Sequence, residues 1–118
     1  MRKMTTAAGV AVAMAAMVAM PASAQERTGY LAIAAGDLSA AQATLVRERA
    51  MFPQRPELMV NLAAVYARTG RATEARTLYA DVLSRDSVAL ELGNGETVSS
   101  HDVARRGLAR LDTAIAAR

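Results

Sequence analysis

The hexapeptide Gly36-Asp37-Leu38-Ser39-Ala40-Ala41 returns as Gly70-Arg71-Ala72-Thr73-Glu74-Ala75, 34 residues further on. In each copy a glycine closes one stretch of helix-spaced apolar residues and another stretch opens directly behind it. A glycine tolerates the left-handed backbone with which helices commonly end, so each copy reads as the bend between two antiparallel helices. A pair of short helices cannot bury its apolar stripe alone, and a pair that recurs at a fixed interval implies that the pairs stack.

Outward from these bends, apolar residues recur at three- and four-residue spacing over residues 26–85. The breaks carry turn residues, at Gly36-Asp37, Phe52-Pro53-Gln54-Arg55-Pro56 and Gly70-Arg71. Four short amphipathic helices are predicted. Leu58, Leu62, Val65 and Tyr66 share a stripe on the third, and Ala75, Leu78, Tyr79 and Val82 share one on the fourth. Small Gly29 and Ala63 would let the helices of a pair approach closely, with Ala41 and Ala75 doing the same from the facing helix. Tyr66 and Tyr79 are the large partners that would fill the space left between them. Pro53 stops the second helix, because proline cannot continue one.

The period and this small/large pattern resemble the tetratricopeptide repeat, a helix-turn-helix unit of about 34 residues. Leu62, Ala63, Tyr66, Gly70, Ala75, Tyr79 and Val82 carry the resemblance in the second copy, and Gly29, Gly36, Ala41, Leu45 and Pro53 in the first. It covers about residues 26–88, as repeats at about 26–54 and 55–88. The aromatic residue usual near the start of the unit is missing from both copies, and Ser87 stands where a proline would close the second.

Beyond Asp86 the period shortens to two. Val88, Leu90 and Leu92 alternate with Ala89, Glu91 and Gly93, and Asn94-Gly95 precedes Glu96-Thr97-Val98-Ser99. Alternation around Asn-Gly predicts a small β-hairpin at about 88–99 with a type I′ turn, positive φ at both central residues. Ser99, with Asp102 three positions on, reads as the N-cap of a last helix over about 100–116. Its stripe of Val103, Gly107, Leu108, Leu111 and Ile115 would cap the open end of the second repeat. The fold class expected is therefore mostly α: two tetratricopeptide-like units, a β-hairpin and a C-terminal capping helix, forming a single domain over 25–118.

Ahead of the repeats, Arg2 and Lys3 precede an uncharged run over 5–20, and Pro21 and Ala22-Ser23-Ala24 follow it. A basic start, an apolar run short of a bilayer span and small residues at the end make a cleavable signal peptide over 1–24. Its removal from 118 residues would leave 94, with twelve basic side chains, all Arg, against eleven acidic. So balanced a chain carries no footprint for nucleic acid. The chain contains no cysteine, which excludes disulfides, thiolate metal sites and a lipid-anchored lipoprotein. The expected location is the periplasm, or outside the cell, with no stable membrane insertion after cleavage.

No constellation in the sequence argues for an enzyme. His101 is the sole histidine and has no second imidazole or thiolate with which to share a metal. Ser99, Ser100, His101 and Asp102 follow one another around a helix and cannot aim at a common point as a triad does. Gly93-Asn94-Gly95 lacks the glycine spacing and the Lys-Ser/Thr pair of a phosphate loop. Arg105, Arg106 and Arg110 form a basic patch that suits a solvated face, or contact with anionic lipid or an acidic partner. No cofactor and no metal are expected.

The resemblance implies a protein–protein interaction module, an adaptor or scaffold that binds a peptide or protein on the concave face lined by the first helix of each unit. It places Glu57, Asn61, Ala64 and Arg68 on that face in the second copy, and Tyr30 and Ile33 in the first. Asn61 suits the backbone of an extended peptide and Arg68 a carboxylate. Self-association could extend so small a groove. The alternative implied is a structural accessory subunit packed permanently into a larger cell-envelope complex.

Overall fold

The computed structural model of the chain describes residues 29–92 and 94–116. The signal peptide expected over 1–24, and the first turn of the first repeat, lie outside the described residues. Five helices follow in order, α1 (Tyr30–Ala34), α2 (Leu38–Met51), α3 (Pro56–Arg68), α4 (Ala72–Leu83) and α5 (Ser100–Ala116). Strands β1 (Ala89–Glu91) and β2 (Thr97–Ser99) lie between α4 and α5. This is the mostly helical architecture read from the sequence.

The two bends are built alike. Gly36 and Gly70 adopt φ of +82° and +79°. At the first, the Asp37 N–H donates to the Ala32 carbonyl (2.8 Å), and at the second the Arg71 N–H donates to the Tyr66 carbonyl (2.8 Å). Each bond reaches back five residues across the glycine, which is the Schellman closure of a helix. Donors and acceptors are both offset by 34, so the repeat exists in the hydrogen bonding as well as in the residue types. The helices that follow are capped differently. Asp37 accepts from the Ala40 N–H (3.1 Å) at the head of α2. At the head of α4, Arg71 pairs with Glu74 (3.0 Å) and lies over the Tyr66 ring, 4.6 Å from its centre. Backbone N–H donation, and then the Arg71 hydrogen bond, hold the Glu74 carboxyl below the ordinary glutamate value.

α3 is the centre of the molecule. It packs on α2, α4 and α5, and Leu58, Met59, Val60, Asn61, Leu62 and Ala63 are buried in succession. Burial all round, in place of one stripe, is what a helix enclosed by three others requires. Each buried Leu, Val or Met side chain contributes about 1.5–3 kcal/mol. α2 departs from the amphipathic pattern expected of it. Ala41 and Leu45 face the core, but so does Glu48, while Val46 and Met51 stand exposed. Gly29 is also placed differently from the expectation, at φ +72° immediately before α1. Its close-packing role is kept nonetheless, because a Cβ there would come within 3.0 Å of Leu45 Cγ.

The hairpin forms, with a different turn. Ala89 pairs with Ser99, Leu90 with Val98 and Glu91 with Thr97. The Leu92 N–H then donates to the Glu96 carbonyl (2.7 Å), and the Gly95 N–H donates to the Leu92 carbonyl (2.9 Å). Leu92 and Glu96 thus continue the pairing past the strand ends, and Gly95 has positive φ whereas Asn94 does not. That corrects the type I′ turn at Asn94-Gly95, which needs positive φ at both residues. Asn94 instead accepts the Glu96 N–H on its side-chain oxygen (2.9 Å).

α5 begins where expected, with Ser99 Oγ accepting the Asp102 N–H (3.0 Å). Buried Ser100 closes the base of the hairpin, since its N–H donates to the Val88 carbonyl (2.7 Å) and its hydroxyl oxygen accepts the Val88 N–H (3.0 Å). Val103, Gly107 and Leu111 face inward and Ile115 is exposed. Gly107 lies under the ring of Tyr79, where a Cβ would fall 2.2 Å from the ring carbon Cζ. Burial raises the Tyr79 hydroxyl above its ordinary value against the opposing effect of Arg110.

Candidate protein-binding surface

The stripe that the sequence assigns to the concave face divides by depth. Glu57, in the first turn of α3, is half-buried and paired with Arg55 (3.5 Å). Ala64 is half-buried and Arg68, in the last turn, is exposed. Asn61, between them in sequence, is fully buried, and Ile33 on α1 is part of the hydrophobic core. Tyr30 opens α1. Neither Asn61 nor Arg68 is without an interaction inside the molecule. Of the α3 residues in this stripe, Glu57, Ala64 and Arg68 reach the surface. Ile33 and Asn61 are buried and cannot present their side chains to a partner.

His101 has a structural partner. Its Nε2 lies 2.7 Å from the Arg85 carbonyl oxygen. A carbonyl only accepts, so that nitrogen carries the proton, and the contact ties the end of α4 to the first turn of α5. The described residues contain no group of three or more His, Cys, Asp or Glu side chains able to hold a metal ion, and no helix long and apolar enough to cross a membrane. The basic patch on α5 is partly neutralised, because Arg105 pairs with Asp102 (3.2 Å).

One surface went unremarked in the sequence. Ser39, Gln42, Ala43, Val46 and Arg47 line an open depression of about 430 Å³ on α2, and Val46, Met51 and Phe52 are exposed alongside. The available signal was a conflict of period: Val46 and Met51 fall off the stripe defined by Ala41 and Leu45.

Comparison with curated proteins and with solved structures gave no match. Residues 32–91 match the tetratricopeptide repeat. The matched span runs from α1 through β1 and so contains both glycine bends, the enclosed helix α3 and the exposed part of the stripe. Repeats of this kind mediate protein–protein interaction through the surfaces that their stacking creates. More than half of the chain is covered by that match and the bends recur in register, so this protein belongs to the tetratricopeptide repeat family.

Proposed function

We propose that this chain is a non-enzymatic adaptor or scaffold, exported to the periplasm, that holds a peptide or protein partner on the face formed by Glu57, Ala64 and Arg68. The observation that carries this reading is the shape of α3. Residues 58–63 are buried in succession, yet the helix delivers Arg68 to solvent one turn after a residue as small as Ala64. A small side chain next to an exposed guanidinium leaves room for a chain to lie down and supplies a charge for a carboxylate. Export rests on the arrangement of Arg2, Lys3, the apolar run and Ala22-Ser23-Ala24.

Affinity capture from an envelope extract, followed by titration of the recovered partner, tests the reading. Arg68→Glu should weaken binding roughly tenfold or more, whereas Arg106→Glu on α5 should leave it unchanged. Equal binding by the Arg68→Glu variant would remove the groove from consideration. The exposed apolar side chains of α2 favour a second reading, a structural accessory subunit of a larger envelope complex. That subunit would be insoluble unless produced with its complex, while an adaptor is stable alone.

A further inference from the structure

Unpaired charge on α2 is opposite in sign to that on the hairpin, while Arg106 and Arg110 on α5 are exposed cations outside both, with no ion pair among the described residues. On α2, Arg47 and Arg49 have no ion pair among the described residues, and Arg49 Nε is buried without a hydrogen-bond partner. The one acidic residue of α2, Glu48, is turned into the core. Arg47 borders the open depression, and beside it Val46 and Met51 are 48% and 58% exposed. At the other end of the stack, Asp86, Glu91 and Glu96 are exposed and have no ion pair among the described residues. No Lys or Arg interrupts residues 86–104. Val88, between Asp86 and Glu91 in sequence, is exposed, and the two Ser100 hydrogen bonds to its backbone hold the base of the hairpin in place.

These poles occupy different parts of the architecture. α2 packs on α1 and α3, whereas the hairpin packs on α5. Each pole combines uncompensated charge with an exposed branched or flexible apolar side chain, and the charges are complementary. We propose that the chain associates with itself head to tail, the Arg47, Val46 and Met51 face of one copy receiving the hairpin of the next through Asp86, Glu91 and Val88. Because the two faces are different, the contact is heterologous: every copy retains one unused face, and assembly proceeds past the dimer as concentration rises. Because the charges lie at the surface, screening over a Debye length of about 8 Å opposes it. Neither face includes Glu57, Ala64 or Arg68, so self-association stands or falls apart from partner capture.

Sedimentation velocity of the purified chain at low and high salt reads the assembly directly. The weight-average mass should rise with concentration at low salt and return to that of a monomer in about 0.5 M salt. Arg47→Glu and Glu91→Arg should each raise the dissociation constant roughly tenfold. A mixture of those two variants should recover one intact contact per pair, with the affinity of the unaltered chain, and stop at a dimer, since each supplies the single intact face that the other lacks. Unchanged helical circular dichroism certifies the folding of each variant, and Arg47→Gln and Glu91→Gln, with smaller effects in the same direction, replace any that unfolds. A monomer at every concentration overturns the proposal. So does an assembly indifferent to salt, or to either reversal, which would point to another face or to another partner for α2.

Discussion

Leu45 and Tyr79 stand 34 residues apart at matching points of α2 and α4, and a glycine lies against each, but the glycines come from different neighbours. Leu45 meets Gly29, at the head of its own unit, while Tyr79 meets Gly107, on the capping helix beyond its unit. Among the described residues, the first unit closes on itself and no helix beyond α1 and α3 packs on α2. The second is closed by α5, so its larger side chain has somewhere to go. One repeated position thus serves two purposes, and the choice between them decides which end of the stack is finished.

Adding one methyl group to α5 should produce the largest effect. A Cβ on Gly107 overlaps the Tyr79 ring, with three ring carbons within 2.7 Å. Both partners sit on helices, so relief requires α4 and α5 to separate. Gly107→Ala should cost about 2–3 kcal/mol, even after the gain of about 1 kcal/mol from placing Ala in a helix. Chemical denaturation measures it, and a second variant sharpens the comparison. Tyr79→Leu gives the second unit the side chain of the first, and in its presence Gly107→Ala should become nearly neutral. Equal costs in both backgrounds would mean that the contact does not set the spacing of α4 and α5.

The same methyl group at Gly29 should cost less. Its neighbours are Leu45 Cγ at 3.0 Å and Cδ1 at 3.1 Å, the end of a side chain that can turn aside. The backbone contributes as well, since φ of +72° disfavours any residue with a Cβ. Gly29→Ala should destabilise by about 1–2 kcal/mol, and Leu45→Ala in addition should recover only the steric part. Gly36 and Gly70 supply the control. Nothing lies within 4 Å of a Cβ at either, so only the positive φ matters. Gly36→Ala and Gly70→Ala should each cost about 1 kcal/mol and agree within about 0.5 kcal/mol. Unequal costs would show that the two bends are alike in geometry alone.

What could be read without coordinates follows the same division between local and distant causes. The bends were legible because a left-handed helix terminus is set by the glycine within it, and α5 was legible because Ser99 caps it through a bond three residues long. The hairpin turn was half legible. Asn94-Gly95 marks a turn, but whether one or two residues take positive φ depends on Leu92 pairing with Glu96, a choice made by the strands. The groove was legible as a stripe and misread in depth. Asn61 at three- and four-residue spacing from Glu57 and Ala64 has the pattern of a surface residue. Its burial comes from the enclosure of α3 by α2, α4 and α5, and that of Glu48 from the packing of α2 on α1 and α3. A helical period locates a face and says nothing about how many neighbours cover it.

The smallest effect expected concerns the ion pair that spans the finished end. Arg76 on α4 and Asp112 on α5 approach to 2.8 Å, a good geometry for a charge-assisted bond. The side chains are 43% and 67% exposed, however, so water screens their attraction and ordering two flexible groups offsets part of it. A double-mutant cycle with Arg76→Ala and Asp112→Ala should give a coupling of at most about 0.5 kcal/mol, falling toward zero in 1 M salt. At the matching position of α2 stands Gln42, which lines the open depression. If the cycle instead returned more than about 1.5 kcal/mol, the pair would hold α5 on the second unit alongside the Tyr79–Gly107 contact and would no longer be the smallest of these effects.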